Sequence, residues 1–236
     1  MNEVQHNYHR ILERISAVAT LAGRDPGRIR LVVVTKGQPV EKIQAVIEAG
    51  AIDLGENYLE EAIPKIELFR PNRNLTWHMI GHVQSRKASG VCQQFGYVQS
   101  LDSLKLAHRM SNSLVDLNSK MPVLLEFNVS GEETKFGFPA WQADRWVQLL
   151  PELREIVSLP NLTVFGLMAM APYSQDPESA RPYFQRLSRL QGYLHEHIPE
   201  ADWSELSMGM SADFAIGIQE GATVVRVGEA IMGKRN

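Results

Sequence analysis

Eight short apolar runs recur along this chain, and a segment with helical spacing of apolar residues follows each of them. The first run, Leu31–Thr35, is rich in β-branched residues and shows no alternation, which is typical of a strand buried on both faces of a parallel sheet. Strands that alternate with helices indicate an α/β fold. The predicted strands are Leu31–Thr35, Ile52–Leu54, Thr76–Ile80, Tyr97–Ser100, Pro122–Val129, Leu162–Leu167, Ser204–Ser207 and Thr223–Val227.

The helical segments carry apolar residues three or four positions apart, as one buried helix face requires. The first of them, from Val4 to Ala22, precedes every strand. The others are Pro39–Gly50, Glu56–Phe69, Gln84–Gln93, a helix capped by Asp102, a helix within Pro139–Val157, Glu178–His197 and Ser211–Gln219. Eight β/α units within residues 1–236 predict a single-domain TIM barrel with an extra N-terminal helix. An open doubly wound sheet is the alternative.

Charge and cysteine content exclude several classes of protein. The chain has 24 Lys and Arg against 27 Asp and Glu, a formal net charge of −3, so no basic footprint indicates nucleic acid or an anionic membrane as a partner. Cys92 is the only cysteine, which excludes an internal disulfide and a thiolate metal cluster. The first residues lack an apolar signal core, and no run approaches the roughly 18 apolar residues of a membrane span. We therefore expect a cytoplasmic protein.

Lys36 is the first candidate functional residue, because it follows four aliphatic residues and Thr35. Active groups of TIM barrels lie at the C-terminal ends of the strands, so we expect the Lys36 ammonium over the barrel interior. Desolvation lowers the pKa of a lysine and frees its amine for a Schiff base. The alternative is a lysine whose stem packs while its head reaches solvent.

The last two strands end in residues suited to a phosphate group. The segment from Ser207 to Ser211 carries Gly209 and two serine hydroxyls immediately before a predicted helix, an arrangement suited to an anion. In the alternative interpretation, Ser211 is only the N-cap of that helix. Gly228 follows Arg226 and Val227 and lets the backbone approach a phosphate closely. TIM barrels often bind phosphate after strands seven and eight. A nucleophilic lysine with a phosphate cradle suits pyridoxal 5′-phosphate (PLP).

Six motifs that occur in order between Leu31 and Gly233 resemble the PLP homeostasis protein family, the YggS/PROSC group. They are Thr35-Lys36 after the aliphatic run, Gly55–Tyr58, Trp77–Ser85, Gly166–Met168, Leu206–Phe214 and Val225–Gly233. The resemblance implies a barrel like the N-terminal domain of alanine racemase, with PLP as the cofactor.

The resemblance also implies a role for individual residues. PLP would form a Schiff base with Lys36, Arg226 would face the pyridine nitrogen, and Asn57 would lie near the cofactor. Ser211 and the backbone at Gly228 would hold the phosphate. The full set of expected cofactor-binding residues is Lys36, Asn57, His82, Met208, Ser211, Arg226, Val227 and Gly228.

The function implied by the resemblance is PLP binding without robust turnover. Such a protein would balance vitamin B6, amino-acid and keto-acid pools, act as a monomer and transfer PLP transiently to PLP-dependent apoenzymes. An arginine keeps the pyridine nitrogen unprotonated and so weakens carbanion stabilisation. We also expect no counterpart, after Asn236, of the β domain that supplies a catalytic tyrosine in alanine racemase. The alternatives are a low-activity PLP racemase or transaminase-like enzyme that uses Lys36 as its base, and a PLP-free barrel that acts on a sugar phosphate through Lys36.

Three positions depart from the family pattern. Glu229 stands where Ser or Thr is frequent, and its carboxylate would repel the phosphate unless it points away. Met232 replaces a usual aromatic residue, and Gly37 follows Lys36 in place of a larger residue. None of these positions is among the residues expected to hold PLP.

Other polar residues favour structural roles. His78 and His82 are four apart, but they fall on a strand and the following loop rather than on one helix face, so we expect no metal site. Glu132, Glu133 and Lys135 follow the fifth strand. We expect a solvated charged loop there rather than a loop at the barrel mouth that handles free PLP.

Overall fold

The computed structural model describes residues 1–234. The strands are β1 Arg30–Val34, β2 Asp53–Glu56, β3 Thr76–Met79, β4 Tyr97–Leu101, β5 Met121–Asn128, β6 Phe138–Pro139, β7 Leu162–Met168, β8 Glu205–Ser207 and β9 Val224–Val227. The α-helices are α1 Glu3–Leu21, α2 Val40–Glu48, α3 Leu59–Phe69, α4 Ala88–Gln94, α5 Leu104–Asp116, α6 Leu150–Ser158, α7 Arg181–His197, α8 Phe214–Gln219 and α9 Glu229–Met232.

Eight of these strands form a closed parallel barrel. Around the barrel the order is β1, β2, β3, β4, β5, β7, β8 and β9, and β9 pairs again with β1. The predicted TIM barrel with its additional N-terminal helix is therefore confirmed, and the open doubly wound sheet is wrong. The two-residue strand β6 pairs with β5 outside this ring and was not predicted.

Alternation along the strands separates two environments. In β9, Val225 and Val227 belong to the main hydrophobic core between barrel and helices, whereas Arg226 between them makes its hydrogen bonds to β8 and to the end of β7. This is the period of two that a strand imposes on its side chains. On α7 the predicted buried face is confirmed by four residues without exposure, Phe184, Leu187, Leu190 and Leu194.

Several helix starts differ from the prediction. Ser103 caps α5 by accepting a hydrogen bond from the Leu106 N–H, whereas the Asp102 carboxylate contacts His82. The predicted cap at Asp102 is therefore wrong. Glu56 ends β2 and α3 begins only at Leu59.

The later helices also begin after the predicted positions. Within Pro139–Val157 the helix α6 starts at Leu150, after a 3₁₀ segment from Ala143 to Leu149, and Pro151 occupies its first turn. The helix α8 starts at Phe214 rather than at Ser211. The Asp213 carboxylate accepts a 2.6 Å hydrogen bond from the Met210 N–H and so closes a turn before the helix. Over residues 1–234, no helix has the length and apolar character needed to span a bilayer.

Candidate functional site

Lys36 lies at the C-terminal end of β1, beside the end of β9. Val33 pairs with Val227, so the residues that follow the two strands are neighbours. Lys36 is half-buried and lines a cavity of about 320 Å³ together with Val34 and Gly228. A Cβ built on Gly228 would lie 3.1 Å from the Cβ of Val34, so a larger residue would require its neighbour to shift by a few tenths of an ångström. The two strand ends thus bring the predicted lysine and the predicted glycine together.

The residue before Lys36 is fixed by two hydrogen bonds to charged side chains. The Thr35 hydroxyl donates to Glu56 Oε1 at 2.6 Å, and the Lys65 ammonium donates to the Thr35 carbonyl oxygen at 2.9 Å. Lys65 also lies 2.7 Å from Glu56 Oε1, and the Glu56 side chain has no exposure. Desolvation raises the pKa of Glu56, against the opposing effect of its bonds to Lys65 and Thr35.

The residue after Lys36 is tied to the same cluster. The Gly37 N–H donates to Glu61 Oε1, the oxygen that also lies 2.6 Å from Lys65 Nζ. Both flanking peptides of Lys36 are therefore held by one group of three side chains, Glu56, Glu61 and Lys65, which we call the Lys65 cluster. This cluster was not predictable from the sequence, because its members come from a strand end and from helix α3, which no motif connects.

Ser211 contacts the backbone that follows Gly228. Its Oγ accepts a hydrogen bond from the Ala230 N–H at 3.4 Å. The loop that carries Ser211 is tied to β9, because the Arg226 N–H donates to the Gly209 carbonyl oxygen at 3.0 Å. Gly209 has a φ of +95°, and a Cβ there would lie 2.8 Å from the Phe214 Cα, so the loop requires glycine at this position. The Ser211 hydroxyl thus meets the Ala230 N–H two residues after Gly228, which lines the same cavity as Lys36.

Arg226 is buried in the barrel, with 3% exposure. One guanidinium nitrogen donates to Ser207 Oγ, and the other donates to the Ala169 carbonyl oxygen at 3.0 Å. Burial lowers the pKa of Arg226 to about 10, and the Glu126 and Asp213 carboxylates oppose that shift. The guanidinium is therefore charged at neutral pH and has a fixed orientation.

A line of hydrogen bonds extends from Arg226 across the barrel interior. Ser207 Oγ donates to Gln99 Oε1 at 2.6 Å, which fixes the orientation of the Gln99 amide group. The Gln99 amide nitrogen then faces His78 Nδ1 and donates to it at 3.0 Å. His78 Nε2 then donates to Asp53 at 2.8 Å. Desolvation lowers the pKa of His78, in agreement with a neutral ring. His78 is consequently a structural residue that supports Ser207 and, through it, Arg226.

A second cavity of about 370 Å³ lies over the ends of β2, β3 and β5. Its lining includes the predicted residues Asn57 and His82 together with Glu126, and we call it the Glu126 cavity. Asn57 Oδ1 and Glu126 Oε2 are buried without a hydrogen-bond partner among residues 1–234. Desolvation, with a smaller contribution from the Asp102 carboxylate, raises the pKa of Glu126 to about 7.

His82 and Glu126 contribute differently to that cavity. The His82 ring stacks on Phe136, with centroids 3.6 Å apart, and its Nδ1 lies 2.6 Å from the Asp102 carboxylate. His82 and His78 therefore have different partners, and residues 1–234 contain no group of His, Cys, Asp or Glu arranged for a metal ion. Glu126 was missed in the sequence, where the available signal was a single carboxylate within the apolar fifth strand.

The remaining predicted residues lie around these two cavities. The side chains of Met208 and Val227 are fully buried in the main core, so any ligand contact they make comes from their backbone atoms. Glu229 is exposed at the start of α9. The Lys135 ammonium lies 2.7 Å from Glu132 and donates to the Met170 carbonyl oxygen at 3.2 Å.

Comparison with known proteins identifies the family. The family model for the alanine racemase N-terminal domain matches residues 5–236. The pyridoxal phosphate homeostasis protein of Vibrio alginolyticus is 37% identical over 240 residues, which cover 100% of this chain and 99% of the relative. The chain belongs to the pyridoxal phosphate homeostasis protein family. Another member, from Escherichia coli K12, is 35% identical over 239 residues, with 100% and 98% of the two chains covered.

Solved structures of similar proteins agree with this assignment. PipY of Synechococcus elongatus, solved with PLP bound, has 30% sequence identity and a TM-score of 0.80, with 93% of this chain and 100% of that chain covered. Alanine racemase of Clostridium difficile has a TM-score of 0.70 at 15% identity and is covered over 56% of its length, so it shares the fold alone. The predicted membership of the pyridoxal phosphate homeostasis protein family is confirmed.

Proposed function

We propose that this chain binds PLP as a Schiff base with Lys36 and contributes to the balance of vitamin B6, amino-acid and keto-acid pools. The observation that carries the proposal is the convergence of Lys36, Ser211, Arg226 and Gly228 at the C-terminal ends of β1, β8 and β9. The names of the curated relatives and the PLP-bound PipY structure support it.

The side chains at this end of the barrel suit the chemical groups of PLP. When bound, PLP supplies an aldehyde that condenses with a lysine amine. Lys36 supplies the amine, and the Ser211 hydroxyl and the main chain from Gly228 to Ala230 supply neutral donors for the phosphate. Arg226 would offer the pyridine nitrogen a permanent cation, whose orientation is set by its hydrogen bonds to Ser207 and Ala169.

The residue at the pyridine nitrogen also bears on catalysis. A guanidinium there disfavours protonation of the ring, and an unprotonated ring is a weaker electron sink. We therefore propose that the protein has no robust turnover. One observation favours a low-activity PLP racemase as a second candidate, because burial raises the pKa of the Glu126 carboxyl to about 7, a value suited to acid–base work. Accumulation of D-alanine from L-alanine by the PLP-loaded protein, and its loss in Glu126→Gln, would support the racemase.

Three further expectations belong to this proposal. The protein acts in the cytoplasm, as a monomer, and passes PLP transiently to PLP-dependent apoenzymes. Light scattering of the purified chain tests the monomer. To test transfer, the loaded protein is mixed with a PLP-free transaminase, and in a parallel sample a membrane separates the two proteins. Activation of the transaminase in the mixed sample alone would show that transfer requires direct contact.

Titration with PLP tests the anchor. We expect the wild-type protein to gain the absorbance of a PLP Schiff base near 420 nm, with saturation at one PLP per chain. Lys36→Ala should remove this band. Lys120→Ala, which changes an exposed lysine on the loop before β5, should leave it intact and is the matched control. A band that persists in Lys36→Ala identifies a different lysine as the anchor.

A further inference from the structure

The barrel interior contains a continuous row of hydrogen-bonded side chains that extends from Arg226 to the N-terminal end of the strands. Three members of this row, His78, Gln99 and Ser207, have no exposure, and Arg226 has 3%. Asp53, at the start of β2, ends the row with a side-chain exposure of 15%. A buried polar side chain costs free energy unless it has a partner. Each of the three fully buried members therefore depends on its neighbours in the row.

The donors and acceptors of this row all point in one direction. His78 Nε2 donates to the Asp53 carboxylate at 2.8 Å, which leaves His78 Nδ1 as an acceptor. The Gln99 amide nitrogen donates to that acceptor at 3.0 Å, so the amide oxygen faces Ser207. The Ser207 hydroxyl donates to this oxygen at 2.6 Å and accepts from the Arg226 guanidinium. Because a serine hydroxyl has one proton, Gln99 keeps that proton away from Arg226.

The His78 ring is held in place by a second set of contacts. It stacks on the Tyr97 ring, with centroids 5.0 Å apart. The Tyr97 hydroxyl donates to Glu205 at 3.0 Å, and Glu205 lies 3.2 Å from Arg30. Desolvation lowers the pKa of His78, which favours a neutral ring whose Nδ1 accepts a hydrogen bond. These contacts therefore determine both the position of Nδ1 and its role as the acceptor for Gln99.

The orientation of Arg226 depends on two acceptors. One guanidinium nitrogen donates to Ser207 Oγ, and the other donates to the Ala169 carbonyl oxygen at 3.0 Å. With one of these bonds alone a planar guanidinium can pivot, whereas two bonds fix its direction. The Ser207 bond is in turn supported by Gln99 on β4, the strand opposite β9 in the ring of eight.

We propose that Gln99 and His78 are positioning residues for the cofactor, which act through Ser207 on the orientation of Arg226 and so on the pyridine nitrogen. This inference rests on the proposed function, which places Arg226 against that nitrogen. Without the Gln99 amide, the Ser207 hydroxyl is free to turn its proton toward the guanidinium, which then loses one of its two fixed acceptors. The pyridine nitrogen consequently loses part of the cation that disfavours its protonation. Control of the cofactor thus extends to buried side chains of β3 and β4.

The test observes the pyridine nitrogen directly, by nitrogen NMR of isotope-labelled PLP bound to the protein at one fixed pH. Gln99→Met removes both hydrogen bonds of the amide at nearly constant side-chain volume. We expect a chemical-shift change of the same sign as in Arg226→Gln and about a third of its size. The control is Gln191→Met on α7, where the amide donates to the Trp203 carbonyl oxygen, and it should leave the signal unchanged.

A double-mutant cycle separates positioning from a general loosening of the barrel. In the Arg226→Gln background, Gln99→Met should add no further change, because the group through which Gln99 acts has been removed. An added change of full size in that background, or no change in the wild-type background, would overturn the proposal. If Gln99→Met does not fold, as judged by circular dichroism, His78→Phe replaces it under the same criteria. That variant keeps a ring against Tyr97 and removes the acceptor of the Gln99 amide.

The same samples distinguish this inference from the proposed function. If the wild-type protein shows no Schiff-base absorbance with PLP, the proposed function is contradicted and this inference with it. An unchanged nitrogen signal in Arg226→Gln would contradict the placement of Arg226 at the ring, on which the inference depends. A change in Arg226→Gln without one in Gln99→Met contradicts this inference alone.

Discussion

The Lys65 ammonium donates a 2.9 Å hydrogen bond to the carbonyl oxygen of Thr35, the residue immediately before Lys36. The same ammonium contacts Glu56 and Glu61, and Glu61 accepts a hydrogen bond from the Gly37 N–H on the other side of Lys36. One buried lysine thus helps to hold the backbone on both sides of another lysine.

Lys65→Met should destabilise the fold by about 3–5 kcal/mol, because it removes the ammonium that lies 2.7 Å from the fully buried Glu56 carboxylate. Urea denaturation measures the loss. Lys87→Met, in which the lysine of a more exposed ion pair is removed, is the control and should cost at most about 1 kcal/mol. Adding Glu56→Gln to Lys65→Met should restore part of the stability. Equal losses in the two single variants would mean that the Lys65 cluster is not structural.

Ser211→Ala should weaken PLP binding by about 1–2 kcal/mol, the contribution of one hydrogen bond to a charged group. The reason is that Ser211 brings a hydroxyl to the main chain at Ala230. Equilibrium dialysis with PLP gives the dissociation constant. Ser119→Ala, on an exposed loop, is the control. An unchanged dissociation constant would remove Ser211 from the phosphate cradle.

Arg226→Glu should raise the pKa of the pyridine nitrogen of bound PLP, since a carboxylate favours the protonated ring. The absorbance spectrum of the loaded protein, recorded across a pH series, measures this effect. Arg226→Gln removes the charge without adding a carboxylate and should give an intermediate shift. Spectra that match the wild type in both variants would show that Arg226 does not lie against the ring.

Glu126 should make stability depend on pH. Its pKa rises from the usual 4.5 to about 7 in the folded protein, so the folded state holds a proton that the unfolded chain loses within this interval. The contribution is fully present below pH 4.5 and is lost as pH rises through 7. Relative to Glu126→Gln, the wild type should lose about 2–3 kcal/mol of stability between pH 4.5 and pH 8. Urea denaturation at both pH values, with no PLP added, provides the comparison, and a constant difference would contradict it.

The positions of Lys36 and Gly228 were predictable because each follows an apolar strand, and strand ends of a parallel barrel meet at one face. The alternation within β9 also places Arg226 and Val227 on opposite sides of the sheet. These are local properties of the sequence, and the family motifs reinforced them.

Interactions between distant segments were not predictable in the same way. Aspartate is favoured at helix N-caps, and Asp102 precedes α5, yet its carboxylate contacts His82, 20 positions away. Ser103 caps α5 instead. The partners of Lys65 and the absence of a partner for Glu126 Oε2 within residues 1–234 depend on how β2, α3 and β5 pack. Sequence periodicity does not contain that information.

Borohydride reduction of the PLP-treated protein, followed by peptide mass mapping, tests the central claim most directly. Our account predicts a pyridoxyl adduct on the peptide that contains Lys36 and none on this peptide in Lys36→Ala. An adduct confined to another lysine would contradict the assignment of the anchor. No adduct after incubation with PLP would contradict PLP binding through a Schiff base and would favour a barrel that acts on a sugar phosphate.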